Sequence, residues 1–195
     1  MKTNGHPSFF IVAIALAVGL LTSSAATYLN ETGLPGEADS ATLQFPVSMS
    51  LSPGQTTPST YGQIFEAGLT EPFGPHPAIT ADIGYGPANT DPRTDPNWHW
   101  FGAAYNAQVG NSDEYVGSFT INTPGAYSYT FRYSLDGGSS FTLGDLDGAG
   151  SIAGLDFSTS QLGALSVVPE PGALSLGFLG LAVLAFAARL KHRAG

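Results

Sequence analysis

Ala126-Tyr127-Ser128-Tyr129-Thr130-Phe131-Arg132-Tyr133-Ser134-Leu135 is the stretch that decides the fold. Tyr127, Tyr129, Phe131, Tyr133 and Leu135 fall on one face, and Ala126, Ser128, Thr130, Arg132 and Ser134 fall on the other. A period of two is the signature of a β-strand. Five large apolar side chains in strict alternation bury a continuous stripe, each worth about 1.5–3 kcal/mol when fully covered. A slip of one residue would bury Arg132 and expose four rings, so the register is strongly specified. The pattern predicts a central strand with its rings in the core and with Ser128, Thr130 and Arg132 facing outward or toward an edge. Asp136-Gly137-Gly138 then supplies the positive-φ positions of a hairpin turn, and Ser140-Phe141-Thr142-Leu143 reads as the return strand.

Working outward, the neighbouring segments have the same texture. Residues 42–51 alternate, placing Leu43, Phe45, Val47, Met49 and Leu51 on one face, with Pro46 at an edge or a bulge. Residues 61–69 read as a strand or a short loop element, and residues 79–86, 98–105, 114–121 and 162–167 as further strands, separated by turns rich in Pro, Gly, Asn and Asp. The chain has 25 glycines and 14 prolines, and no helix-period segment outside its two ends. The fold class is therefore all-β, a single β-sandwich of Ig-like or jelly-roll-like type over residues 41–167. Residues 27–40 are polar and turn-rich, a linker or an irregular first strand.

Charge and cysteine content narrow the chemistry. Between residues 27 and 168 stand two basic residues, Arg93 and Arg132, against fourteen acids, a net charge near −12. So acidic a surface repels phosphate backbones and argues against nucleic acid as a partner. With no cysteine there is no disulfide framework and no thiolate metal site. His99 lies between two tryptophans with its side chain opposite theirs, and no motif of an activated nucleophile is present. No enzymatic activity and no obligatory cofactor are expected.

The two ends carry targeting information. Lys2, the apolar residues 9–21 and the small-x-small Ser24-Ala25-Ala26 form a secretory signal peptide over residues 1–26, cleaved after Ala26. At the other end, Val167-Val168-Pro169-Glu170-Pro171 precedes a run of sixteen uncharged residues, 173–188, and then Arg189, Lys191, His192 and Arg193. The two prolines keep the Glu170 tripeptide extended and accessible. The apolar run predicts a transmembrane helix, and the basic cluster places the C-terminus in the cytoplasm. This order resembles the PEP-CTERM protein-sorting signal of Gram-negative bacteria, over residues 167–193. The resemblance implies that Val168, Pro169, Glu170 and Pro171 are the sorting motif, read by a membrane-embedded exosortase. That enzyme removes the helix and releases the protein to the cell surface or the extracellular matrix. The sorting signal as a whole spans residues 168–195.

A second resemblance covers residues 79–167. Ile83-Gly84-Tyr85-Gly86-Pro87, Trp98-His99-Trp100, Asp113-Glu114-Tyr115 and Arg132-Tyr133-Ser134-Leu135-Asp136-Gly137-Gly138 stand in the order of a recurrent β-sandwich module. The module looks like one found in secreted and surface proteins of bacteria. It is similar to carbohydrate-binding sandwiches in texture, a fold-level analogy that carries no function by itself.

Two stretches are candidate sites. Trp98 and Trp100, spaced i and i+2, share one strand face with rings about 7 Å apart. They read either as a stacking platform for neighbouring sugar units or as core residues. Asp145, Asp147 and Asp156 occupy positions 1, 3 and 12 of a twelve-residue loop that resembles a calcium-binding loop. Ala149 at position 5 offers no ligand oxygen, and the other reading is a solvated turn before the last strand. The expectation is an exported, exosortase-sorted surface or matrix protein with a structural or interaction role linked to exopolysaccharide. The alternative is a carbohydrate-binding module.

Overall fold

The computed structural model describes residues 26–29 and 36–169. Ten strands follow in chain order: β1 (Thr27–Tyr28), β2 (Ser40–Phe45), β3 (Ser48–Leu51), β4 (Thr60–Phe65), β5 (Thr80–Pro87), β6 (His99–Val109), β7 (Ser112–Gly117), β8 (Gly125–Ser134), β9 (Ser140–Leu143) and β10 (Gly163–Val167). Among the described residues a single 3-10 turn, Thr159–Gln161, precedes β10. The order in the sheet is β1-β9-β8-β5-β6-β7-β4-β2, with β3 and β10 attached through β8.

The ringed stretch is the pivot, as its alternation predicts. β5 pairs along β8 from Thr80↔Ser134 to Pro87↔Tyr127. The other edge of β8 is shared, its first half with β10 and its last residues with β9. Tyr129, Phe131 and Tyr133 are wholly buried. Asp136-Gly137-Gly138 forms the expected turn, with φ of 74° at Gly137 and 92° at Gly138.

Two separate sheets were expected, and one curled sheet is found. β6 belongs to both walls: Trp100 and Phe101 pair with β5, while Ala104 and Tyr105 pair with β7. The sheet bends along this strand, with a register irregularity between Tyr105 and Ala107. The walls then face each other around Leu43, Ile64, Ile83, Tyr115, Phe119, Phe131 and Leu165. Gly62 lets them approach, because a Cβ there would stand 2.7 Å from Cδ2 of Phe131. The free edge of β2 is tied to the segment leaving β9 through Thr42↔Asp145 and Ala41↔Ala149.

Two expectations need correction. Residues 42–51 form two strands in different parts of the sheet, because Pro46 has no N–H with which to continue the ladder. Leu43 and Leu51 are buried, but Phe45 and Val47 are 51% and 56% exposed, so the single apolar face does not exist. Second, β8 is covered on both sides. Ser128, Thr130 and Ser134 are buried, and each is satisfied by a loop. Asn89 N donates to Ser128 Oγ at 3.0 Å, Thr130 Oγ1 donates to the Gly144 carbonyl, and Gly138 N donates to Ser134 Oγ at 2.8 Å. Of the two readings of residues 27–40 the structure shows the short first strand, since β1 runs parallel to β9, and Ala38 is wholly buried.

Candidate functional site

The C-terminal end of the domain is built by β10. This strand lies between β3, which it meets in parallel, and β8, which it meets antiparallel. Val167 pairs with both Leu51 and Gly125. Val168 N donates to the Leu51 carbonyl at 2.9 Å, and the Val168 side chain is 51% exposed. Pro169 is the next residue. The first residue of the proposed motif, Val168, therefore itself makes the last hydrogen bond of the sheet.

Residues 167–193 match the family model of the PEP-CTERM protein-sorting motif. The motif implies export, a membrane-anchored intermediate, processing by exosortase and then display at the surface. The match spans 27 of the 195 residues and leaves the β-domain unassigned. No curated protein matches the chain. Glu170, Pro171, the apolar run, the basic tail and the signal peptide up to Ala25 lie outside the described residues. Ala26, the expected cleavage position, is exposed and immediately precedes β1. Among the described residues no helix is long and apolar enough to cross a membrane.

Trp98 and Trp100 are neither an open platform nor part of the core between the walls. They lie on the outer face of β5, stacked on each other with centroids 5.5 Å apart. Gly84 and Gly86 make the floor. A Cβ at Gly84 would stand 2.7 Å from Cδ2 of Trp100, and one at Gly86 would stand 2.6 Å from Cε2 of Trp98. Trp98 is 7% exposed and its Nε1 donates to Thr90 Oγ1 at 3.0 Å. The Arg132 guanidinium lies 4.4 Å from the Trp100 ring and 3.9 Å from that of Phe141. It also pairs with Asp82 at 2.9 Å. Arg132, expected on an outward face or edge, is thus held between two aromatic rings and a carboxylate. A groove of about 560 Å³ borders this stack, with Tyr28, Arg93 and Pro96 among its other walls.

A second aromatic cluster sits on the opposite face of β5, where the curl opens. Tyr85 stands 5.0 Å from Phe119, 5.6 Å from Tyr127, 6.0 Å from Phe101 and 5.2 Å from His99. Asn97, Asn122 and Thr123 complete a groove of about 410 Å³. In the sequence Tyr85 stood out only as part of the segment Ile83-Gly84-Tyr85-Gly86-Pro87. Alternation along residues 83–86 could have separated it from Gly84 and Gly86.

The loop containing Asp145 does not gather three acids. Among the described residues no three of His, Cys, Asp and Glu are grouped to hold a metal ion. Asp145 is wholly buried at the β2 seam, where Leu43 N donates to its carbonyl at 2.8 Å and Ser158 N donates to Oδ2 at 2.9 Å. Asp147 and Asp156 are exposed. Burial pushes the Asp145 carboxyl up to about 6; the Ser158 N–H opposes the rise, and Asp147 adds to it. The residue closes the sheet, so the start of this loop is a buried seam rather than the solvated turn of the other reading.

Sequence reasoning also missed Asp113, which it named only within the second resemblance. Asp113 is wholly buried in β7, facing the core, and neither carboxylate oxygen has a hydrogen-bond partner among the described residues. Burial raises its pKa, with His76 opposing. Gln108, directly across the ladder, also buries an unpartnered oxygen.

Proposed function

We propose that this chain is a non-catalytic structural or interaction protein of the cell surface or extracellular matrix, delivered there by exosortase and associated with exopolysaccharide. The observation that carries this reading is the sorting motif beginning directly where β10 ends. The Trp98–Trp100 stack supports the structural half. Its faces are committed to Gly84, Gly86, Arg132 and each other, so few are left for a ligand. Replacing Glu170 with Ala, or Pro169 and Pro171 with Ala, leaves the protein uncleaved in the inner membrane. Fractionation and intact mass of the wild-type mature form test the reading. A mature form that still carries residues 173–195 refutes it.

A second reading, binding of a neutral glycan, is favoured by the Tyr85 groove rather than by the tryptophans. Half-buried Tyr85 and Tyr127 border the amides of Asn97 and Asn122, a combination that suits the apolar face and hydroxyls of a sugar ring. Affinity electrophoresis through neutral β-glucan and galactomannan gels separates the two readings. Retardation abolished by Tyr127→Ala in a folded protein supports the glycan, and unretarded migration in every gel supports a structural role.

A further inference from the structure

Between the domain and its sorting signal there is no spacer. Val167 is 3% exposed and hydrogen-bonded on both sides, and Val168 N still donates to Leu51. Any cleft that holds Pro169-Glu170-Pro171 extended must come within one residue, about 3.5 Å of chain, of the folded surface. Withdrawing the chain is disfavoured, because β10 is an interior strand whose Leu165 and Val167 are core residues. From Pro169 to the apolar run at Ala173 is four residues, at most about 14 Å. The enzyme, embedded in the membrane, therefore meets the domain at close range.

The surface it meets differs from the rest of the protein. Two turns surround Val168, one following β3 and one preceding β8. Residues 46–60 and 115–131, which contain them, have no charged side chain, in a domain with a net charge near −12. The turns brace each other. Gly54 N donates to the Ile121 carbonyl at 2.9 Å, Thr57 N to the Phe119 carbonyl at 2.9 Å, and the Thr56 and Thr120 hydroxyls lie 3.0 Å apart. Gln55, Asn122, Thr123 and Pro124 are exposed. The charged loop after β5 is tied to the outer face instead, with Thr90 bonded to Trp98 and Arg93 over Phe157. A carboxylate in a close contact loses water without gaining a partner, so acids are costly at such a face.

We propose that this neutral end of the domain, residues 53–55 and 122–124 with Val168, is a docking face for the exosortase. The folded domain is then part of the substrate, presented together with the tripeptide. This rests on the sorting reading above. The test uses the full chain in a host that carries the enzyme. Pulse-chase and intact mass follow loss of the C-terminal segment, and a photo-crosslinking residue at 122 is compared with one at 139. Ser139 sits in the hairpin at the far end of β8, roughly 30 Å away at about 3.4 Å per strand residue. Asn122→Asp and Thr123→Glu are expected to slow processing about tenfold, equivalent to ~1.4 kcal/mol of contact. Ser139→Glu leaves it unchanged. A ten-residue Gly-Ser spacer between Val167 and Val168, which leaves the four motif residues contiguous and has a reach of roughly 17 Å, restores the rate of the acidic variants. Position 122, and not 139, crosslinks to exosortase. Acidic variants processed at the Ser139→Glu rate, or crosslinks to lipid alone, overturn the docking face. A wild-type chain that is never cut overturns the sorting reading itself, and the docking face with it.

Discussion

Gly84→Ala tests the tryptophan stack. The added methyl would stand 2.7 Å from Cδ2 of Trp100. Carbon atoms settle at about 3.5–4.0 Å, so the ring must retreat by roughly 1 Å. Behind it lie the Trp98 ring at 5.5 Å and the Arg132 guanidinium at 4.4 Å, the latter fixed by Asp82 and Phe141. The retreat weakens a cation–π contact of about 0.5–2 kcal/mol and a ring pair of about 0.5–1.5 kcal/mol. The expected destabilisation is therefore about 1–3 kcal/mol, the usual range for overpacking. The assay is equilibrium urea denaturation read by circular dichroism. Emission of the two tryptophans, both in this stack, reports the local shift. The decisive comparison is a double-mutant cycle, because in a Trp100→Ala background the ring is gone and Gly84→Ala costs nothing further. Additive penalties would refute the claim that Gly84 exists to seat Trp100.

In the core, Phe131→Ala is expected to cost about 3–5 kcal/mol through lost transfer energy and a cavity. Thr130→Ala, which orphans the Gly144 carbonyl, costs about 1–3 kcal/mol; the two are compared by urea melts, and a tolerant Phe131 would overturn the register. The Asp145 carboxyl is raised to about 6 in the folded state, so the proton is bound more tightly there than in the unfolded chain. Its stabilising contribution is complete below about pH 4, the unfolded pKa, and is lost as pH rises through about 6. Asp145→Asn should flatten that part of the stability–pH curve, measured as urea midpoints from pH 4 to 7. Asp136 has the opposite sign. Burial pushes it up, but donors from Ser140, Ser134 and Ser139 outweigh this and hold it at about 2. Stability from Asp136 is present above the unfolded value and is lost as pH falls toward 2, so Asp136→Asn should flatten the acid limb. Millimolar Ca²⁺ is expected to leave the melting temperature unchanged; a rise abolished by Asp145→Ala would restore the calcium reading.

The parts of the fold that were legible are those where local chemistry and global packing agree. β8 announces itself by strict alternation, the turn after it by Asp136-Gly137-Gly138, and β9 and β10 by short apolar runs between turns. The coverage of the second face of β8 was not legible. It depends on the Asn89 N–H and the Gly144 carbonyl, brought in by loops distant in sequence. Alternation misled over residues 42–51, because it continues through Pro46 while the ladder cannot. The tryptophans were legible as a same-face pair, but their role depends on Gly84 and Gly86 one strand away. Asp113 was overlooked for a related reason. A carboxylate between Ser112 and Glu114 looks solvated until the curl of the sheet turns it inward.

The placement of β10 also determines how the domain bears load. Before cleavage, any pull between membrane and domain enters through Pro169 and runs along the axis of β10. That strand has four register pairs with β3 on one side and five with β8 on the other. Pulled lengthwise, both ladders are strained together in shear, so many hydrogen bonds must fail at once. A strand peeled sideways from a sheet edge would lose them one at a time. The same residues that deliver the sorting motif therefore form a mechanical clamp, and tension at the C-terminus meets the domain in its stiffest direction.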